Sequence, residues 1–247
     1  MKSTAGNQKE GAPQYRSLDP ERIVETARTL GCRIHERFPD AGLGRVADEL
    51  LDLARQAART SRWLARPMIW LRAGCAACIL LMISVGLATL PSFNTGVTLF
   101  SSLSDFFQGL ESATNEIVLL GLAIFFLTTV ETRYKRGRAL KSLHELRSIA
   151  HIIDMHQLTK DPERALRDGT DTPSSPHHAL NPYDLERYLD YCSELLAIIS
   201  KIAALHVQRF NDPVALDSVN QVEDLAHSLS RNIWQKIMIL HRILHKE

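Results

Sequence analysis

Between Arg72 and Arg133 the chain has no lysine, no arginine and no histidine. Cations crowd both ends of that gap. Arg55, Arg59, Arg62, Arg66 and Arg72 precede it, and Arg133, Lys135, Arg136, Arg138 and Lys141 come after it. Core helices of a soluble protein can be as apolar as the two runs inside the gap, but they have no reason to exclude cations so completely. The pattern predicts a transmembrane hairpin with both termini in the cytoplasm and the connecting loop outside. The expected location is the cell membrane, plasma or inner, crossed in a multi-pass fashion.

Other absences narrow the function. The four cysteines, Cys32, Cys75, Cys78 and Cys192, form no disulfide framework. Cys75-Ala-Ala-Cys78 has redox spacing but lies inside the first apolar run, without the exposed helix N-terminus that lowers a thiol pKa. There is no glycine-rich phosphate loop, nucleophile elbow or Cys/His metal spacing, so no catalytic residue, cofactor or metal is expected. With 29 basic against 28 acidic residues and a pI near 7.8, nothing in the global charge suggests nucleic acid as a partner. No alternating strand pattern competes with helix, which makes the expected fold all-α. The first 17 residues are polar and contain no signal-peptide core, so residues 1–17 read as a disordered tail and the hairpin as a retained anchor.

The first apolar run, residues 73–90, reaches roughly 27 Å at about 1.5 Å per residue, just enough for a hydrocarbon core of about 30 Å. Trp63 and Trp70 flank it on the cytoplasmic side, where amphipathic rings favour the headgroups. The second run, residues 117–130, reaches only about 21 Å and needs the turn before it, or a thinned bilayer, to cross. The expected layout is cytoplasmic N-terminal helices at 18–66, a first span at 67–91, an external loop at 92–112, a second span at 113–131 and a cytoplasmic bundle at 132–247. Within the loop, Leu99, Phe100, Leu103, Phe106, Phe107 and Leu110 fall on one arc of a helical wheel, which predicts an interfacial helix.

Four helix starts repeat one chemistry. Asp19-Pro20, Asp161-Pro162, Asn181-Pro182 and Asn211-Asp212-Pro213 each pair an Asx cap with proline in the first turn. The predicted helices run over about 20–30, ended by a break between Gly31 and Gly42, then about 43–66, 132–158, 182–210 and 214–244. No proline occurs between Pro91 and Pro162, so the second span can continue into the cytoplasmic helix. On 182–210, Leu185, Leu189, Cys192, Leu196, Ile199 and Ala203 recur at alternating steps of four and three, an a/d seam of the kind used in antiparallel bundles and coiled coils. The stretch 167–180 reads as a connecting loop.

Three further groups are candidate functional residues. Gly74, Ala77, Cys78, Ser84, Gly86 and Ala88 leave flat strips on the first span where a helix can pack closely. Asp105, Glu111 and Glu116 could line a cation path if the chain oligomerises. His144, Arg147, His151 and Asp154 share a face that could form a polar network between bundle helices; His144-Glu145 begins like a zinc-protease motif, but Ser148 stands where its second ligand would be. His241 and His245 are spaced to share a metal, yet suit a helix C-terminus equally well.

In its order of parts, the chain resembles the SLATT-type two-span proteins of prokaryotic conflict systems over roughly residues 43–158. The resemblance is one of layout, implies a membrane-permeabilising effector, and transfers no site residue. The sequence itself supports a membrane-anchored interaction or scaffold protein whose partners are the lipid bilayer and, through the cytoplasmic helices, another protein or further copies of itself. The alternative is an oligomeric channel or pore gated by the bundle.

Overall fold

The computed structural model describes residues 17–89, 103–162 and 180–244. The chain is all-α, and no strand occurs among the described residues. Its helices are α1 (Pro20–Arg37), α2 (Gly42–Leu64), α3 (Ile69–Thr89), α4 (Leu103–Leu158), α5 (Pro182–Val207) and α6 (Pro213–Leu244). They divide into two compact units, one made of Met1–Ala65 with Ala139–Glu247 and the other of Arg66–Arg138.

Local chemistry explains the helix starts. The Asp19 carboxylate accepts the Glu21 N–H at 2.9 Å, and the Asn181 side chain accepts the Asp184 N–H at 2.8 Å. At the third start the cap is Asp212, which accepts the Ala215 N–H at 2.9 Å. Each satisfies a donor that the first helical turn leaves unpaired. The helix expected to begin at Asp161-Pro162 and nearly all of the 167–180 connection lie outside the described residues, as do residues 1–16.

The expected stop at Gly31 does not occur, because α1 runs on to Arg37. Gly31 is buried against α2, where an added Cβ would stand 3.8 Å from that of Ala47. It marks a helix contact. The break falls instead at Phe38–Ala41 around Pro39, with the Ala41 N–H donating to the Phe38 carbonyl at 3.1 Å.

The bundle is organised on α5. Leu185, Leu189, Cys192, Leu196, Ile199 and Ala203 are all buried, and so are Tyr188, Leu195, Ile198 and Ile202 between them. A helix buried over more than one stripe needs neighbours on several sides, and α5 packs against α1, α2 and α6. From α4, Leu143, Leu146, Ala150 and Ile153 enter the same core, and Val222, Leu229, Ile233, Ile237 and Leu240 enter it from α6. Lys236 of α6 donates to the Gln157 carbonyl at 2.7 Å and the Lys160 carbonyl at 3.3 Å. Gln157, one of the last α4 residues, thereby has its carbonyl satisfied from α6.

In the unit Arg66–Arg138, α4 begins at Leu103 and runs unbroken through residues 111–116. Thr114 contributes by turning its hydroxyl back to the Leu110 carbonyl at 2.7 Å, so its polar group does not compete with the helix. The expected interfacial helix is therefore not a separate element. Leu103, Phe106, Phe107 and Leu110 belong to the first turns of α4, while Leu99 and Phe100 lie outside the described residues.

Candidate functional site

Arg66, Pro67 and Met68 lie between α2 and α3. Pro67 has no N–H to give, which leaves the Arg66 carbonyl and the Met68 N–H as the polar groups to be satisfied beside it. One pair on α4 answers both. Lys135 donates from Nζ to the Arg66 carbonyl at 2.8 Å, and Glu131 accepts the Met68 N–H at 3.3 Å. The two side chains are one helical turn apart, bond each other at 2.8 Å, and are only 9% and 13% exposed. A charge pair holding both backbone groups of a turn is a charge-assisted clasp between that turn and α4.

The clasp changes the charge of its surroundings. No Asp or Glu occurs in residues 53–104 or 132–144, so Glu131 is the one carboxylate in these flanking stretches of sequence. It is engaged by Lys135 and a backbone donor, while Arg66, Arg133 and Arg138 are exposed. Sequence alone counts Lys135 with those topological cations; the structure removes it from them by burying it. The two tryptophans also part company. Trp70 is 71% exposed, whereas Trp63 is partly buried against the cluster of Leu64, Ala139, Phe210 and Ala215 in the bundle unit.

Further along α4, Ile117, Val118, Leu119, Leu122, Phe125 and Phe126 are between 60% and 70% exposed. One helix among the described residues is long and apolar enough to cross a membrane, the α4 stretch Ile117–Leu158, whose most apolar window has a mean hydropathy of 1.6 and no buried share. On α3, Leu80 and Leu81 are equally open. Gly74 and Ala77 are exposed, and space beside Gly74 is empty. Ser84 spends its hydroxyl on the Leu81 carbonyl at 2.8 Å. Cys78, Gly86 and Ala88 also belong to α3.

All three members of the acidic trio lie on α4. At about 100° per residue, positions 105 and 116 share a face of α4 and position 111 lies roughly 120° around it. Glu111 is exposed; the side chains of Asp105 and Glu116 are outside the description.

In the bundle, His144, Arg147 and His151 lie exposed on α4. Asp154 accepts from Gln157 at 2.7 Å, within the same helix. His241 stands 3.2 Å from Glu186 of α5, and His245 lies outside the described residues. No cluster of three potential metal ligands occurs among the described residues.

His206 is fully buried, with Nδ1 3.0 Å from the Ile202 carbonyl. Burial holds its pKa below the ordinary histidine range and keeps it neutral, so Nδ1 donates. Burial also pushes the Cys192 thiol up to about 12, which makes it inert. The clasp is not visible in local sequence, whereas the burial of Cys192 follows from its place on the α5 seam. Only the spacing Glu131–Lys135, an i, i+4 pair beside an apolar run, hints at the clasp.

No family model, curated protein or solved structure matches this chain.

Proposed function

We propose that this chain is a membrane-anchored helical scaffold. In this reading α3 and the first part of α4 form a two-span anchor in the cell membrane, both termini are cytoplasmic, and the bundle around α5 docks a protein partner or a second copy. One observation carries it: a run of large apolar side chains on α4 stands open, while the bundle unit buries a continuous apolar core of its own. Soluble monomers rarely expose contiguous apolar surface on that scale, and a bilayer satisfies it.

The α5 seam is consumed inside the chain, so docking falls to outward positions such as Trp234 and Met238, which are 57% and 54% exposed one turn apart on α6. The test has two parts. Carbonate washing of membranes from expressing cells should leave the chain in the pellet; release into the supernatant contradicts the anchor. Light scattering of the detergent-solubilised chain should report an oligomer that Trp234→Ala with Met238→Ala dissociates, or a monomer if the partner is another protein.

A second reading, a pore gated by the bundle, draws on the continuity of α4 from Leu103 to Leu158. It requires two bundle states that bind something differently. Conductance of the reconstituted chain that changes in Glu116→Ala would favour it.

A further inference from the structure

We propose that the junction around the Glu131–Lys135 clasp is a binding surface for anionic phospholipid headgroups. The inference rests on the membrane-anchor reading and adds the lipid class. Its basis is charge complementarity. These stretches of sequence hold a single carboxylate, Glu131, which the clasp engages with Lys135 and the Met68 N–H. Exposed guanidinium groups flank it, Arg66 from the turn and Arg133 from α4. The Lys135 bond to the Arg66 carbonyl ties these two segments together.

Two exposed aromatics complete the surface. Trp70 is 71% exposed and Tyr134 57% exposed, one on each of the segments the clasp joins. Rings with a polar tip partition to the headgroup level, and guanidinium groups bind phosphate with paired donors. Flanking this belt, the apolar side chains of α3 and α4 match the acyl region. A protein interface built on the same residues would leave the arginines opposite an acidic patch, and would have no use for the adjacent open apolar run. A bilayer leaflet rich in anionic lipid uses both features. Basic residues near a membrane surface each favour such lipids by about fivefold, and the attraction weakens as salt screens it.

The test uses Trp70 as reporter in the full chain reconstituted into vesicles. Its signal is the difference between the wild-type chain and Trp70→Phe. Vesicles contain the same fraction of brominated phosphatidylglycerol or brominated phosphatidylcholine, in a background of the other lipid unlabelled. The expected result is quenching at least about twofold stronger from the anionic lipid, lost in Arg66→Gln with Arg133→Gln, retained in Arg66→Lys with Arg133→Lys, and reduced at high salt. Circular dichroism of each variant confirms that helix content is kept. Equal quenching by both lipids overturns the inference and leaves the anchor intact. Quenching by neither overturns the anchor as well. If the lipids quench equally while the detergent-solubilised chain binds transfer RNA, the charge serves a nucleic acid and the inference is again overturned.

Discussion

Lys135 and Glu131, one turn apart on α4, hold the two ends of the Arg66–Met68 segment between them, the ammonium on the Arg66 carbonyl and the carboxylate on the Met68 N–H. Removing one member takes from the other its ion-pair partner in a poorly hydrated site. Lys135→Met is expected to destabilise the Arg66–Arg138 unit by about 3 kcal/mol, because a mostly buried carboxylate that loses its ammonium costs more than the pair contributes. Lys135→Met with Glu131→Gln should recover part of that loss. Hydrogen–deuterium exchange of the Met68 amide in detergent checks this, with exchange accelerated most in the single variant.

The α5 seam gives a prediction on the bundle. Leu196 is fully buried in the core shared by α5, α1, α2 and α6. Leu196→Ala should cost about 3 kcal/mol of bundle stability in thermal or denaturant unfolding. Leu196→Asp should prevent folding, which makes it unsuitable as a probe of partner docking.

These two sites differ in how far the sequence reveals them. The seam and the caps at Asp19, Asn181 and Asp212 are legible because their determinants are local: a period of four and three, or an Asx beside a proline. The clasp is not, because Lys135 finds its acceptor 69 residues away on backbone that has no sequence signature. Gly31 misleads for a related reason. Glycine reads as a helix stop, but packing against Ala47 of α2 outweighs its propensity cost, which is only about 1 kcal/mol. Trp63 is similarly ambiguous, since an aromatic beside an apolar run suits the headgroups or a bundle cluster, and only the tertiary structure shows it against Phe210 and Ala215.

Two histidines give an acid-side pH dependence. His206 is held below its ordinary pKa by burial, and His156 by burial and the positive charges of Arg45 and Lys160. Below the unfolded-state value of about 6.5 the unfolded chain binds more protons than the folded one, so stability falls as pH drops through that region. Melting temperature should decrease between pH 7 and pH 5, and His206→Phe should flatten the slope.

Thiol chemistry separates the cysteines. Cys32 is exposed and Cys192 is buried, its thiol pushed up to about 12 chiefly by burial. In a chain carrying Cys75→Ser and Cys78→Ser, a maleimide at pH 8 should modify Cys32 within minutes and Cys192 only after denaturant is added. Mass spectrometry of the two peptides reads the difference.

An exposed apolar position tests the anchor without touching the bundle. Leu122 is 63% exposed on α4, and a lysine near the middle of a span costs about 3 kcal/mol on insertion. Leu122→Lys is expected to lower the membrane-bound fraction while leaving the unfolding of the bundle unchanged; a loss of bundle stability equal to that of Leu196→Ala would place Leu122 in a packed core instead.

The most direct measurement is accessibility across the membrane of intact cells. The native Cys32, exposed on α1, is the cytoplasmic reporter. One chain keeps Cys32 and replaces Cys75, Cys78 and Cys192 with serine; a second replaces Cys32 as well and carries Ser102→Cys. A membrane-impermeant thiol reagent should label the Ser102→Cys chain in intact cells and reach Cys32 only after lysis. If Ser102→Cys also labels only after lysis, α3 and α4 do not form a membrane-crossing hairpin with an external connection, and the anchor account fails.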